Sequence, residues 1–344
     1  VAIGVIALTA DTKGDRNIAV GYGSLAAQNF STTTDSYNTA VGFSSGNAVT
    51  TGLSNTLIGG LTGDSLTDAD NNTAVGTAAL STDTLGSHST AVGESALRRQ
   101  AFTTATNSYN TAVGSQAGSY ITTGTANTLM GGAAGDALTT GSNNVAIGYQ
   151  ALVSNAGGVS NVAVGTCALY TSLNYYNTAV GANAGKLQGT QSAKYNIYLG
   201  YNAGCNLTTG AGNVTIGTVQ PESNTGNRQL KIAGYDGSST TTWIKGDSSG
   251  NLIVAGTVTA NGQLLSGVTK PTISSISPTV VTNAQSAITI TGANFVSIPQ
   301  VEFLNPSTGI YYLENPVQPE KFSSIMDSFW WSVSLSVCLS VCLS

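Results

Sequence analysis

The sequence predicts an all-β fold, a repeat β-solenoid of the β-roll kind, and three observations predict it. A five-residue phrase, Asn110-Thr111-Ala112-Val113-Gly114, returns in conservative copies along almost two-thirds of the chain. The closing glycines stand at 4, 21, 42, 59, 76, 93, 114, 131, 148, 165, 181, 200 and 217, most of them as far apart as Gly42 and Gly59, with longer steps from Gly21 to Gly42 and from Gly93 to Gly114. A period this short means one supersecondary unit per repeat, each burying the face that its neighbour exposes. The third observation is composition: 42 glycines, 8% charged and 7% aromatic residues suit many short strands and turns and are poor material for helices.

Within residues 1–217 the phrase alternates with period two. Its second residue is Thr, Val or Ile and its fourth a bulky aliphatic such as Val41, Val113 or Ile147, so these two share one strand face. The expectation is that this face is the buried one and that the Ala between them lets another surface approach from the opposite side. The first residue is Asn (Asn38, Asn110, Asn144) except at Ser89, and stacked Asn side chains can form ladders from rung to rung. The glycine (Gly42, Gly114, Gly148) permits a tight corner.

A second short strand is expected after each corner, with a small residue three positions on and then Leu or Gly. That fourth position reads Leu8, Leu25, Gly46, Gly63, Leu80, Leu97, Gly118, Gly135, Leu152, Leu169, Gly185, Gly204. Two Leu alternate with two Gly, so a four-rung unit overlies the single rung. When the sequence is shifted by that unit, from Gly42 to Gly114, the likeness reaches the loops: Gln28-Asn29-Phe30 to Tyr37 parallels Gln100-Ala101-Phe102 to Tyr109. Because one Val and one Thr per strand make a thin interior, three chains packed side by side through Ala and Gly faces are expected, a homotrimer.

With the Thr-Thr-Gly turns at 50–52, 122–124 and 139–141, the phrase resembles the head repeats of trimeric autotransporter adhesins and, more closely, the repeats of phage tail fibres. The resemblance covers about residues 1–217. It implies a trimeric β-roll, attachment to a host cell surface, a place in the virion and contact with other tail proteins. Adhesin head repeats are typically shorter than the step from Gly42 to Gly59, and no coiled-coil stalk follows here. Both departures favour the phage fibre, with a bacterial surface adhesin as the alternative.

Residues 218–270 lose the period. Arg228 to Ala233, Trp243 to Asp247 and Asn251 to Val258 alternate like short strands and resemble a fibre shaft. Residues 271–310, with Pro271 and Pro278, the strand Ile288 to Thr291 and Gly292-Ala293-Asn294-Phe295, resemble the opening of an immunoglobulin-like TIG domain, here a truncated sandwich. Residues 311–344 are unassigned. Within them 332–344 has period four, and Ser-Val-Cys-Leu is what the tetranucleotide TCTG yields in translation, so a translated simple DNA repeat is expected. Phe329 to Leu343 is too short and Ser-rich for a membrane helix. Val1 falls inside a rung already under way, as in a fragment.

Chemistry-bearing residues are sparse. A net charge of -5 argues against nucleic acid or an anionic membrane as partner. His88 is the single histidine, in a turn with no Cys or acid pair beside it. Asp68-x-Asp70-x-Asn72, with Asp64 nearby, imitates the start of a calcium loop, yet Thr73 stands where Gly is needed and Ala79 where the bidentate Glu belongs. No enzyme, no metal and no cofactor is therefore expected; a polysaccharide-cleaving solenoid, the remote alternative, would need a groove of acids and aromatics. Cys167 and Cys205 do not imply a disulfide framework. Binding has more support, since Phe30 and Tyr37, Phe102 and Tyr109, and Tyr175 with Tyr176 recur every four rungs as rings suited to a surface glycan or to a neighbouring chain. A column of Thr39, Thr56, Thr73, Thr90, Thr111 and Thr128 raises ice binding, which is set aside because flat ice-binding faces generally need two such columns outward and this one shares its face with the buried Val.

Overall fold

A computed structural model describes residues 1–171, 175–187 and 193–255 in full and, beyond them, the backbone of six short strands. Among the described residues the chain is all-β without a helix. Thirteen short strands, from Ala2–Ile3 to Val214–Ile216, stack in parallel and in register, Thr39 beside Thr56 and Thr56 beside Thr73. The twelve steps between them extend roughly 58 Å at about 4.8 Å per parallel neighbour. The sheet then continues into 218–255: Leu230–Tyr235 joins in parallel, and Thr240–Gly246 and Leu252–Val254 fold back antiparallel.

The interior overturns the expected polarity of the strand. The middle residue is the one that is buried: Ala19, Ala40, Leu57, Ala74, Ala91, Ala112 and Leu129 are fully enclosed, while Thr and Val on either side face outward. The reason is width. The small residue three positions past the corner (Ala79, Ala96, Ala117, Ala134) is also fully buried, so most rungs enclose Ala side chains and a single larger aliphatic residue. Amphipathic alternation locates two faces but does not say which faces in; in so narrow a roll, size decides. Packing of neighbouring chains through an Ala face is therefore excluded.

The expected second strand is a run of turns. After the corner the chain alternates right- and left-handed residues, with Ser44 at φ 51° and Gly46 at 58°, and even Leu25 at 49°. A left-handed residue with a side chain costs roughly 1 kcal/mol. Repeated rung-to-rung hydrogen bonds offset that cost, as in Leu25 N to Ser45 O at 3.1 Å and Ala27 N to Asn47 O at 3.1 Å.

The alternation of two Leu and two Gly is an exchange of volume. The strand supplies Ala in most rungs and a larger residue, Leu57, Leu129 or Tyr198, once in each four-rung unit. Two glycines make room for it, one from its own rung and one from the rung before. A Cβ on Gly46 would lie 2.7 Å from Leu57 Cδ1, and one on Gly63 2.9 Å from Leu57 Cδ2. Gly118 and Gly135 do the same for Leu129, and Gly185 and Gly204 for Tyr198.

The corner glycine is needed for itself. Gly42 has φ 138°, and a Cβ there would lie 2.2 Å from Gly59 O of the next rung. No side chain fits.

Asn38, Asn55 and Asn72 form the expected column, buried beside the strand. Each Oδ1 accepts the next backbone N–H of the column (Asn55 N to Asn38 Oδ1, 2.8 Å), and each Nδ2 donates to the far side of its own rung (Asn38 to Gly52 O, 2.7 Å). At Ser89 the column is mended by Ser108, whose hydroxyl lies 2.6 Å from that of Ser89 and accepts from Asn110 N at 3.4 Å. Gln229 takes the Asn position after the phrase ends, its N donating to Asn213 Oδ1 at 2.8 Å. Sixteen of the chain's strands thus belong to one ladder.

The second compact unit, Thr257–Ser344, contains three antiparallel pairs: Val258–Ala260 with Gln263–Leu265, Thr272–Ser277 with Thr289–Ala293, and Glu302–Asn305 with Gly309–Tyr312. The last two occupy the stretches that resemble a TIG domain. The serine-rich repeat at 332–344 and the apolar stretch at 329–343 lie outside the described residues, and among the described residues no helix is long and apolar enough to cross a membrane.

Candidate functional site: the outward face of the ladder

Since the strand turns Thr and Val outward, the exposed face of the roll carries four parallel columns. The two central ones are the second and fourth residues of the phrase. They run through Ile18, Thr39, Thr56, Thr73 and onward beside Val20, Val41, Ile58, Val75, Met130, Ile147 and Leu199, with no ionisable side chain from Val1 to Ile216. Ile3, Ile58, Met130, Ile147, Ile197 and Leu199 are among the exposed large apolar side chains of the chain. The fourth-residue column is aliphatic along its whole length, and continuous exposed apolar surface is the chemistry of an interaction site.

Two edge columns flank the centre. On one side stands the residue before each ladder Asn: Arg16, Tyr37, Ser54, Asn71, His88, Tyr109, Ala126, Asn143, Ser160, Tyr176 and Tyr195. All of these adopt positive φ, Tyr37 at 52° and Tyr109 at 49°, so the backbone turns there and holds the side chain off the sheet. On the other side stands the residue after each corner glycine: Tyr22, Phe43, Gly60, Thr77, Glu94, Ser115, Gly132, Tyr149, Thr166, Ala182 and Tyr201. Neighbours in a column stack. Tyr22 and Phe43 lie 5.5 Å apart and nearly parallel, and Tyr176 and Tyr195 lie 5.1 Å apart and parallel. Arg16 sits 5.3 Å over the Tyr37 ring and pairs with Asp35 at 3.2 Å, and His88 lies 5.3 Å from Tyr109.

The aromatic residues singled out from the sequence divide. Tyr37 and Tyr109 are 50% and 58% exposed, Tyr176 is exposed and Tyr175 half-buried. Phe30 and Phe102 are corrected: both are buried, at 7% and 5%, and offer no face to a ligand. Each covers the loop of a long rung. Phe102 N donates to Asp83 Oδ1 at 3.1 Å, and Asp83, itself buried, also receives Gly86 N and the Gln100 amide. The amide continues to Asn110, whose Nδ2 donates to Gln100 Oε1 at 2.8 Å. Asp11, Gln28 and Asn38 repeat the arrangement four rungs earlier, with Gln28 Nε2 to Asp11 Oδ2 at 2.7 Å and Asn38 Nδ2 to Gln28 Oε1 at 2.8 Å. Beside these networks the long loops pair in two small parallel sheets, Gly14–Asp15 with Thr34–Asp35 and Gly86–Ser87 with Thr106–Asn107. The seventh position past the corner carries this signal in the sequence. From Asp11 to Leu138 it is Asp or Gln where the fourth is Leu, and Val, Ile or Leu where the fourth is Gly.

Asp68 and Asp70 of the calcium-like stretch accept hydrogen bonds from the preceding rung. Asp70 Oδ1 accepts Leu53 N at 2.7 Å and Asp68 receives the Thr51 hydroxyl. Asp64 and Asp136, equivalent positions four rungs apart, each bury one carboxylate oxygen, and desolvation pushes both above the usual carboxylate range, Arg99 partly opposing it at Asp136. Cys167 and Cys205 are free thiols. The threonine column, expected inside, stands on the outer face beside Val, which removes one ground on which ice binding is set aside; the other stands, since the second column is aliphatic. No protein-family profile, curated protein or solved structure matches the chain.

Proposed function

We propose that the chain is a non-enzymatic fibre segment for host-cell attachment, of the phage tail-fibre kind, in which three copies close around the Thr and Val face. The observation that carries this reading is the pair of uncharged central columns, continuous over the whole ladder, one aliphatic throughout and the other Thr, Val or Ile. Covering Val, Ile, Met and Leu removes apolar area at about 25 cal/mol per Å², repeated at every rung. Three such faces enclose a common core with no polar group to satisfy except Thr hydroxyls. The likeness of the repeated phrase to tail-fibre repeats supplies attachment as the task, with the bacterial adhesin as the alternative. The immunoglobulin-like reading of 271–310 belongs to the same proposal and rests on the likeness of its residues.

Sedimentation of the full chain tests it. A β-rich particle of three chain masses is expected; a folded monomer would refute the shared core. A monomer that also depresses the freezing point without changing the melting point would assign the threonine face to ice. Tyr37, Tyr109, Tyr175 and Tyr176 have two candidate occupants, a saccharide and the next chain. Replacing Tyr37 and Tyr109 with Ala separates them: weaker cell binding at unchanged melting temperature points to saccharide, and loss of the trimer points to the neighbour.

A further inference from the structure

The two edge columns differ in chemistry, and they match each other level by level. Copies arranged around an axis parallel to the ladder keep identical rungs at identical height. The edge before the Asn on one copy then meets the edge after the glycine on the next, rung for rung. From Arg16 to Thr218 the second of these edges carries one charged residue, Glu94, and the first carries Arg16 and His88 as its basic groups. Glu94 and His88 belong to the same rung, on either side of the strand Thr90–Val92.

They cannot meet within one chain. The strand Thr90–Val92 sets them at opposite edges of the face, across a stretch of backbone that spans at most about 20 Å. Both are exposed. His88 touches the Tyr109 ring, Glu94 accepts the hydroxyls of Ser95 and Ser115 at 2.8 and 3.0 Å, and neither takes part in the ion pairs found among the described residues. A carboxylate covered by a neighbour requires a partner, because an unpaired buried charge is costly. Elsewhere the levels are also compatible: Arg16 meets Tyr22, Tyr37 meets Phe43, Tyr195 meets Tyr201, and Tyr109 meets Ser115.

We infer that the fibre closes through a heterologous seam in which His88 of one copy pairs with Glu94 of the next at the same rung, the edge tyrosines packing on the facing edge above and below. This inference rests on the proposed assembly around the Thr and Val face and specifies which residues seal it. The tyrosine row is thereby assigned to the neighbouring chain.

The test uses the full chain with Cys167, Cys205, Cys338 and Cys342 replaced by Ser and carrying His88→Cys together with Glu94→Cys. Mild oxidation is expected to give covalent trimers on a non-reducing gel, and each single variant to give none. Trimers by light scattering that do not cross-link would overturn the seam and leave the assembly standing. Cross-linking of His88→Cys alone would overturn it as well, since like edges would then be meeting. A particle of two chains that cross-links would refute three-fold closure while supporting the seam, and a monomer would overturn both. Because cysteines can disturb the rung, an exchange serves as the second arm. His88→Glu should weaken association at least tenfold by setting carboxylates face to face, and adding Glu94→Lys should restore it; failure to restore would count against the pair.

Discussion

The two sides of one three-residue strand obey opposite rules. Inward, Ala112 is enclosed between walls so close that the facing turn alternates Leu and Gly to make room for its neighbours; outward, Thr111 and Val113 are left partly open beside the same residues of the next rungs. In this strand the bulkier side chains are on the side left open. Burial within a single copy is set here by volume and by the Asn column, and much aliphatic area is left on the outer face.

That contrast can be broken from the inside first. Gly114→Val places a Cβ 2.5 Å from Gly131 O at φ 138°, and the backbone strain and clash together should cost about 4 kcal/mol or more. Loss of the cooperative thermal transition, followed by circular dichroism, is the expected result. Asn110→Ala comes next. It removes the amide that donates to Gln100 and Gly124 and accepts Asn127 N at 3.0 Å; the orphaned buried groups should destabilise the chain by roughly 3 kcal/mol, measured by urea unfolding. Retained stability in either variant would mean that the interior is looser than its contacts indicate.

From the outside, Ile147→Asp should leave the far-ultraviolet spectrum of each chain unchanged while reducing the sedimenting mass to one chain. An unchanged mass would show that the open side is not the surface between copies. The smallest effect belongs to Asp136. Its carboxyl is held above the usual range by desolvation, so the folded state binds its proton more tightly than the unfolded state does, and stability falls as pH rises from about 4 through the folded value. Asp136→Asn should flatten that decline and raise the neutral-pH melting temperature by no more than about 2 °C. A steeper decline in the variant would contradict the sign.

Much of this was legible in the letters. The glycine spacing marked the rungs, Asn38 and Asn110 the stacked amides though not their burial, and the correspondence of 28–37 with 100–109 the four-rung unit, its long loops included. Orientation was not legible, because period two is silent about which side is inside and the usual inference from hydrophobicity fails where the inward strand position holds Ala in most rungs. Phe30 and Phe102 misled for a related reason: their spacing equals that of Tyr37 and Tyr109, but Asp11 and Asp83 anchor the loops that fold the phenylalanines under. The exchange of Leu57 against Gly46 and Gly63 was visible only as an unexplained alternation.

One consequence of the rung-to-rung hydrogen bonds is mechanical. They lie along the long direction of the ladder, so a pull between its two ends loads successive rungs in series and a single chain would peel from its terminal rung at low force. A sideways push instead bends all the rungs together. A segment built this way transmits compression and bending well and tension poorly, and a companion chain sealed along its length would be what lets it bear a pull.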